Sequence, residues 1–433
     1  MGHSYGGDLF IEGVSVDSRH VKANDLFFAL PGEQTDGHAY LQAAKEAGAI
    51  AAVVLNSYEG DSFGLELIRS HDVLDSLQKL AKTYLAQMGV TVIGITGSIG
   101  KTTTKEFLAT MLSQKYSIAA STGNRNSQIG LPLTILNDID ENVEVLILEM
   151  AMDLPLQIAN LVKIAPPMIA LVTYVTLVHV CNFGSLEKIA KAKAEIFSSD
   201  KTEAAFYHLE SDYGKQLSRN CKCRSITFSL SAKEADLTLE GCCLTSIFAS
   251  GELAPLNVYG THHRHNLLAA VAIAQYMGLS IEEINLGIAN LTLPERRGQL
   301  IDIEGIFFVN DAYNATESSV KAALDALLTL NTKGKRFAVL SDMRELGQFS
   351  KECHRQVALH ALRCVDEIFC YGEEVKHIVD IWQEAKRPIT WCQNSSEVAT
   401  LLKRIIKPSD VVLLKGSRSM QTWKVLDDFK QKI

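Results

Sequence analysis

Along the chain, apolar residues gather into short, often β-branched runs separated by stretches with helical periodicity. Up to residue 86, "DLFFAL" and "AIAAVVL" read as strands, with helical "HAYLQAAKEAGA" between them. From 87 to 297 the pattern opens with the strand of "VIGITGSIGKTTTKEF" and continues through "VEVLILE", "MIALVTYV" and a helix over Leu186–Phe197. From 298 to 433 it repeats in "IFFVNDAYN", "RFAVLSDM", "EIFCYG" and "VVLLKGSRS". Alternating β and α units predict parallel sheets covered by helices, here as three α/β domains. No low-complexity segment or short-period repeat interrupts them.

The stretch Val92–Phe107 carries the first chemistry. A glycine-rich turn between a buried strand and a helix aims backbone N–H groups and the helix dipole at an anion. Gly97, Ser98, Ile99 and Gly100 form that turn, and Lys101 is placed to reach terminal phosphates. Thr102 offers a hydroxyl to Mg²⁺, and Thr103 continues the run. The common phosphate loop has a glycine where this chain has Ile95, so the loop is a shorter G-x-x-G-K-T-T form.

Several apolar strands end in polar groups, where ligands sit in open α/β sheets. Glu149 follows "VLIL", His179 follows "VTLV", Asp311 follows "FFVN", Asp342 follows "FAVLS", and Lys415 ends the run "VVLLK". Each alone could be a solvated strand end; beside a phosphate loop, the five read as facing clefts. In "LEKIAKAKAEIF", Lys193 falls on the apolar stripe of Leu186, Ile189, Ile196 and Phe197, whereas Lys188 and Lys191 do not. An inward lysine either pairs with a carboxylate or is a modified or catalytic group, and periodicity leaves both open.

Composition narrows the class. The chain has 433 residues, 47% hydrophobic and 21% charged, as expected of a soluble protein of two or three domains. A net charge of −8 argues against general nucleic-acid binding. No apolar run is long enough to span a membrane, and the N-terminus lacks the regions of a signal peptide. Nine cysteines in a long chain predict reduced thiols in a cytoplasm, with the pairs Cys221/Cys223 and Cys242/Cys243 structural.

Taken together, these motifs resemble the Mur ligases, ATP-dependent amide-forming enzymes of bacterial cell-wall synthesis. "DSRHVKANDLFFALPGEQTDGH" is similar to the family's UDP-substrate domain, and "GSIGKTTTK" to its short phosphate loop. "TGNRNSQIGLP" resembles T-G-N-x-N-N-x-x-G-x-P, with Ser127 departing from the second Asn. "HVCNFGS" holds the family histidine as His179, and "KAKAEIF" its carbamylated lysine as Lys193. "GTHHRHNLLAA" supplies Gly260, His262 and Asn266, and "RRGQ" supplies Arg297, with Arg296 adjacent. "NDAYNATESS" resembles D-S-Y-N-A-N-P-x-S, although Thr316 and Glu317 replace Asn-Pro. "SDMRELG" and "LLKGSRSM" are like the branch that adds D-Ala-D-Ala, and the D-N-P-R motif of the diaminopimelate-adding branch is missing.

The resemblance implies a small α/β UDP-substrate domain, a central ATPase-like parallel-sheet domain and a C-terminal Rossmann-like domain. It implies an acyl phosphate formed from ATP on UDP-N-acetylmuramoyl-tripeptide, then attacked by the amine of D-alanyl-D-alanine. ATP contacts fall to Lys101, Asn266 near adenine, Arg297 at the phosphates and Asp311 near the ribose. Two Mg²⁺ ions fall to Thr102, Glu149, His179 and carbamylated Lys193. Ser18, Arg19, Asp36, Gly37, His38, Asn124, Asn126, Tyr313, Asn314 and Lys415 fall to substrate. A monomer is expected, with domain closure assembling the site. A folate-adding synthetase, with related chemistry, and a non-enzymatic nucleotide-binding protein are the competing readings.

Overall fold

The structure is a computed structural model describing residues 9–32, 35–178, 180–210, 213, 222–256 and 258–431. The described residues build three sheets, each covered by helices, in one α/β architecture.

The first sheet contains β1 (Gly13–Ser15), β2 (Asp25–Phe28), β3 (Ala51–Leu55) and β4 (Glu66–Ser70), in that order and all parallel. Because β2 is covered on both faces, its apolar run is continuous rather than alternating. Phe27 packs with Leu41 and Ala44 on one side; Leu26 and Phe28 pack with Val73 and Leu77 on the other.

The central sheet comprises β5 (Thr91–Thr96), β6 (Ile118–Ala120), β7 (Val145–Glu149), β8 (Ile169–Val172), β9 (Ala204–His208), β10 (Arg224–Ser229), β11 (Leu237–Glu240), β12 (Cys243–Ser246) and β13 (Gly251–Glu252). Their order is β13-β12-β11-β10-β9-β8-β5-β7-β6. After β5 the chain builds first on one side and then, at β8, on the other, so the topological switch lies beside β5. That is where the crevice of an open parallel sheet forms.

The third sheet comprises β14 (Gln299–Ile303), β15 (Ile306–Asn310), β16 (Arg336–Ser341), β17 (Glu367–Tyr371), β18 (Ile389–Cys392) and β19 (Val411–Lys415), ordered β14-β15-β19-β16-β17-β18.

Two edges depart from the all-parallel expectation. β11, β12 and β13 pair antiparallel, as do β14 and β15. Short connections force this, since a parallel neighbour needs a long crossover. Glu304 and Gly305, both at positive φ, make the two-residue turn between β14 and β15.

A further departure lies at "MIALVTYVTLVHV". The strand stops at Val172 and residues 173–178 are loop, while His179 lies outside the described residues. The buried Val175 and Val178 supplied the misleading pattern. The helix read over Leu186–Phe197 is α-helical to Lys193 and tightens to a 3₁₀ turn over Ala194–Phe197. Seven described cysteines are free thiols, but Cys223 is disulfide-bonded, contrary to the all-thiol expectation; Cys221 lies outside the described residues.

Candidate active site

The turn after β5 is held from outside itself. Ser98 N donates to Tyr174 O at 2.6 Å and Ser98 Oγ to Thr176 O at 2.9 Å. Thr173 Oγ1 donates to Ile99 O at 2.6 Å. The segment that interrupts the expected strand therefore clamps the phosphate-type loop. Gly100, at φ +85°, caps helix Lys101–Leu112, and a Cβ there would meet Asn266 Oδ1 at 2.4 Å. Lys101 Nζ folds back onto Gly97 O at 2.8 Å, inside the ring of donors an anion would meet. Burial lowers the Lys101 pKa, the Arg297 charge adds to this, and Glu149 and Asp153 oppose it.

Glu149, at the end of β7 and buried, faces the same loop. Its Oε2 accepts from Thr102 Oγ1 at 2.7 Å and its Oε1 from Asn126 Nδ2 at 2.9 Å. Asn126 is thus brought to the carboxylate, whereas Asn124 does not line the cavity. A hydroxyl and a carboxylate at the start of the helix are the oxygen donors that Mg²⁺ takes, with waters completing its shell, so these residues fit the ion. Lys193 is 2% exposed and makes no hydrogen bond or ion pair among the described residues; it is not paired with Glu149. Burial pushes its pKa well down, Lys101 pushes in the same direction, and Asp153 and Glu149 oppose. His179 lies outside the described residues.

Around this centre lies a cavity of about 760 Å³. Ser98 to Thr103, Asn126, Glu149, Asn266, Arg297, Asp311, Tyr313, Asn314 and Lys415 all line it. The middle and C-terminal sheets therefore share one cleft, bridged by Ser318 Oγ to Thr176 Oγ1 at 3.1 Å. Arg297 lines the cavity with its guanidinium 4.0 Å over the Tyr313 ring; Arg296 instead lies 4.0 Å over Trp423 and pairs with Glu295. Lys415, 4% exposed, pairs with Asp311 at 2.6 Å and donates to Asn314 O at 2.9 Å.

Asp342 does not face the cleft. It is fully buried, pairs with Arg344, and accepts from the backbone N–H groups of Glu373, Glu374 and Val375, which makes it an internal cap. Ser18, Arg19, Asp36, Gly37 and His38 lie in the first sheet's unit and do not line the cavity. Arg19 forks onto Asp17. Asp36 accepts from His38 N at 3.0 Å and contacts His38 Nδ1 at 2.6 Å, while His38 Nε2 accepts from Leu55 N. A Cβ on Gly37 would meet Leu30 N at 2.6 Å, so only glycine fits this approach.

Two residues of the site went unread in the sequence. Asp153 adds a negative field to Lys101 and Lys193, signalled only by being a carboxylate four residues beyond Glu149. Thr173 clamps the loop, signalled only by being the first hydroxyl after "IALV".

Comparison with known proteins agrees along the chain. Residues 10–84 match the family described as Mur ligase family, catalytic domain; residues 95–274 match the Mur ligase middle domain; residues 296–418 match the Mur ligase, glutamate ligase domain. The UDP-N-acetylmuramoyl-tripeptide–D-alanyl-D-alanine ligase of Bacillus subtilis is 31% identical, over 96% of this chain and 93% of its own. A crystal structure of MurF from Acinetobacter baumannii superposes with a TM-score of 0.88 at 25% identity, covering 97% of this chain and 94% of that one. MurF from Thermotoga maritima in complex with ADP gives 0.83 at 29% identity, covering 98% and 99%.

Proposed function

Because the chain belongs to the Mur ligase family, we propose that it joins D-alanyl-D-alanine to UDP-N-acetylmuramoyl-tripeptide in peptidoglycan synthesis, converting ATP to ADP. The observation that carries this reading is one cavity bringing the Lys101 loop and Glu149 together with Arg297, Asp311 and Lys415. We read the three units as residues 1–86, 87–297 and 298–433.

In this reading the N–H groups of Ile99 to Thr102 cradle the ATP phosphates. Lys101 leaves the Gly97 carbonyl to neutralise developing charge at the β- and γ-phosphates. Arg297, braced on Tyr313, adds charge from the C-terminal side, Asp311 accepts from the ribose, and Asn266 lies near the adenine. Asn126 orients the Glu149 carboxylate, and Tyr313, Asn314 and Lys415 form the substrate wall. The tripeptide carboxylate attacks the γ-phosphorus and ADP leaves. The dipeptide amine then attacks the acyl carbon, and phosphate departs as the amide forms. Positioning and charge neutralisation carry most of the rate in such chemistry, and the closed cleft excludes water.

Thr102 and Glu149 would hold one Mg²⁺, and Glu149, His179 and a carbamate on Lys193 would hold a second. Bound there, Mg²⁺ supplies neutralisation of phosphate charge. Lys193 supports the carbamate because its low pKa exposes a neutral amine. That neutral amine forms an N–C bond to CO₂ and loses a proton, turning a buried amine into an anionic oxygen donor. No described helix is long and apolar enough to cross a membrane. The substrates read here are a soluble nucleotide and a dipeptide, so the reading puts the enzyme in the cytoplasm, acting as a monomer.

The reaction course is tested with ¹⁸O in the terminal carboxylate of the tripeptide. An acyl phosphate carries one labelled oxygen into the released phosphate. Unlabelled phosphate alongside product would overturn this course.

A further inference from the structure

His208 and His265 in the cavity wall, and Glu210 behind them, have no part in the steps above. His208 ends β9, Glu210 follows two residues later, and His265 stands in the early turns of helix Thr261–Tyr276. One ligand atom from each lies within 4.8 Å of the other two. His208 Nε2 is 2.6 Å from His265 Nδ1 and 3.8 Å from Glu210 Oε2. The other carboxylate oxygen of Glu210 is anchored: Oε1 accepts from the hydroxyls of Ser229 and Ser231 and from Ser231 N at 2.7 Å. Tyr174 and Phe228 stand against the His208 ring, with centroids 5.7 and 5.4 Å away.

We propose that His208, Glu210 and His265 form a binding site for a divalent transition metal of the Zn²⁺ class, its fourth position open to the nucleotide cavity. Two imidazoles and a carboxylate are the donor set of zinc sites that keep one position free. Zn–N bonds of about 2.0–2.1 Å at a tetrahedral angle set two ligating nitrogens roughly 3.3 Å apart. The 2.6 Å contact therefore opens, and the 3.8 Å one closes, each by less than about 1 Å, within the reach of small side-chain rotations.

The charge states suit this. Burial lowers the pKa of His208 to about 4, with His265 adding to it, and burial also lowers that of His265, so both rings are neutral and able to ligate near pH 7. Burial raises the Glu210 carboxyl, but the bonds from Ser229 and Ser231 outweigh it and hold the group at about 2, ionised. Those serines orient the carboxylate from behind, as outer-shell partners of metal ligands do. His208 Nδ1 has no hydrogen-bond partner among the described residues, so the ring's placement is set from its Nε2 side. Two nitrogen donors select against Mg²⁺, which favours oxygen, and so separate this site from Thr102 and Glu149. A second trio, Asp325, His360 and Cys364, does not compete. Arg363 occupies His360 Nδ1 at 2.8 Å, and the Cys364 thiol is pushed up to about 11.

The test titrates Co²⁺ into the full, chelator-stripped chain and then displaces it with Zn²⁺. The proposal expects one equivalent of four-coordinate Co²⁺, seen by its visible d–d absorption and released by Zn²⁺. Glu210→Gln, which keeps the carboxylate's shape, and His265→Ala should each weaken that equivalent at least about tenfold, the smaller loss usual for outer-shell changes. Metal-free unfolding curves establish that both variants fold. No four-coordinate equivalent in the parent, or parental affinity in folded Glu210→Gln, overturns the proposal.

Discussion

Replacing Gly97 with alanine probes how the nucleotide loop is held. Gly97 has φ +149°, and a Cβ there would lie 1.9 Å from Thr173 Oγ1. That hydroxyl donates to Ile99 O at 2.6 Å and Thr96 O at 3.2 Å, so alanine must push out the group that clamps the loop. A non-glycine residue in this backbone region costs about 1–3 kcal/mol. Losing the two shared hydrogen bonds costs about 1–2 kcal/mol more. Gly97→Ala should therefore destabilise the central unit by about 2–5 kcal/mol, a large part of the ~5–15 kcal/mol typical of a folded protein. Thr173→Ala loses the hydrogen bonds alone, about 1–2 kcal/mol. In the double variant that loss is counted once, so the pair should fall short of additivity by about 1–2 kcal/mol. Urea unfolding of the four proteins measures the cycle, with ADP affinity by calorimetry in parallel. ADP binding should weaken at least about tenfold in Gly97→Ala, since the N–H groups of Ile99 and Gly100 lose their register. Strict additivity, or parental stability and ADP affinity in Gly97→Ala, would refute the clamp.

Other variants test separate parts of the site. Lys101→Ala should fold normally yet lose on the order of a hundredfold or more in turnover, and near-parental turnover would rule out this loop as the catalytic phosphate site. Lys193→Ala should recover part of its ligation when a short carboxylic acid is added, whereas Lys101→Ala should not; full activity in Lys193→Arg would exclude the carbamate. His208 is held at about 4, below the ordinary 6.5, so the unfolded chain protonates first as pH falls. Its contribution is whole above about pH 6.5 and declines toward about pH 4, by up to ~3 kcal/mol. His208→Asn should flatten that slope in unfolding curves, and an unchanged slope would contradict the burial argument.

Much of this is legible in the sequence. The Gly-Lys-Thr run marked the loop because phosphate binding needs those residue types in that order, and Glu149 announced itself by ending an apolar strand. Lys193 was readable as inward because its neighbours on the stripe are apolar, and it is buried. The failures share a cause: burial by tertiary contact looks the same whatever the backbone does. Val175 and Val178 are buried under a loop yet extended the apolar run past Val172, disguising the clamp as strand. Asp342 directly follows an apolar strand much as Glu149 ends one, but the turn that follows β17 covers it and satisfies it internally. Nothing local distinguishes those two carboxylates. The convergence of His208 and His265 joins residues 57 apart in the chain, beyond the reach of any periodicity.

The central claim is tested most directly by ligation itself. Purified protein is incubated with ATP, Mg²⁺ and UDP-N-acetylmuramoyl-tripeptide, with D-alanyl-D-alanine, meso-diaminopimelate, lysine or glutamate as the amine. Product is followed by mass and released phosphate is counted. One nucleotide product heavier by the dipeptide less water, formed with stoichiometric phosphate and only with D-alanyl-D-alanine, is the predicted result. Phosphate release and product with one of the single amino acids, and none with the dipeptide, would contradict the assignment.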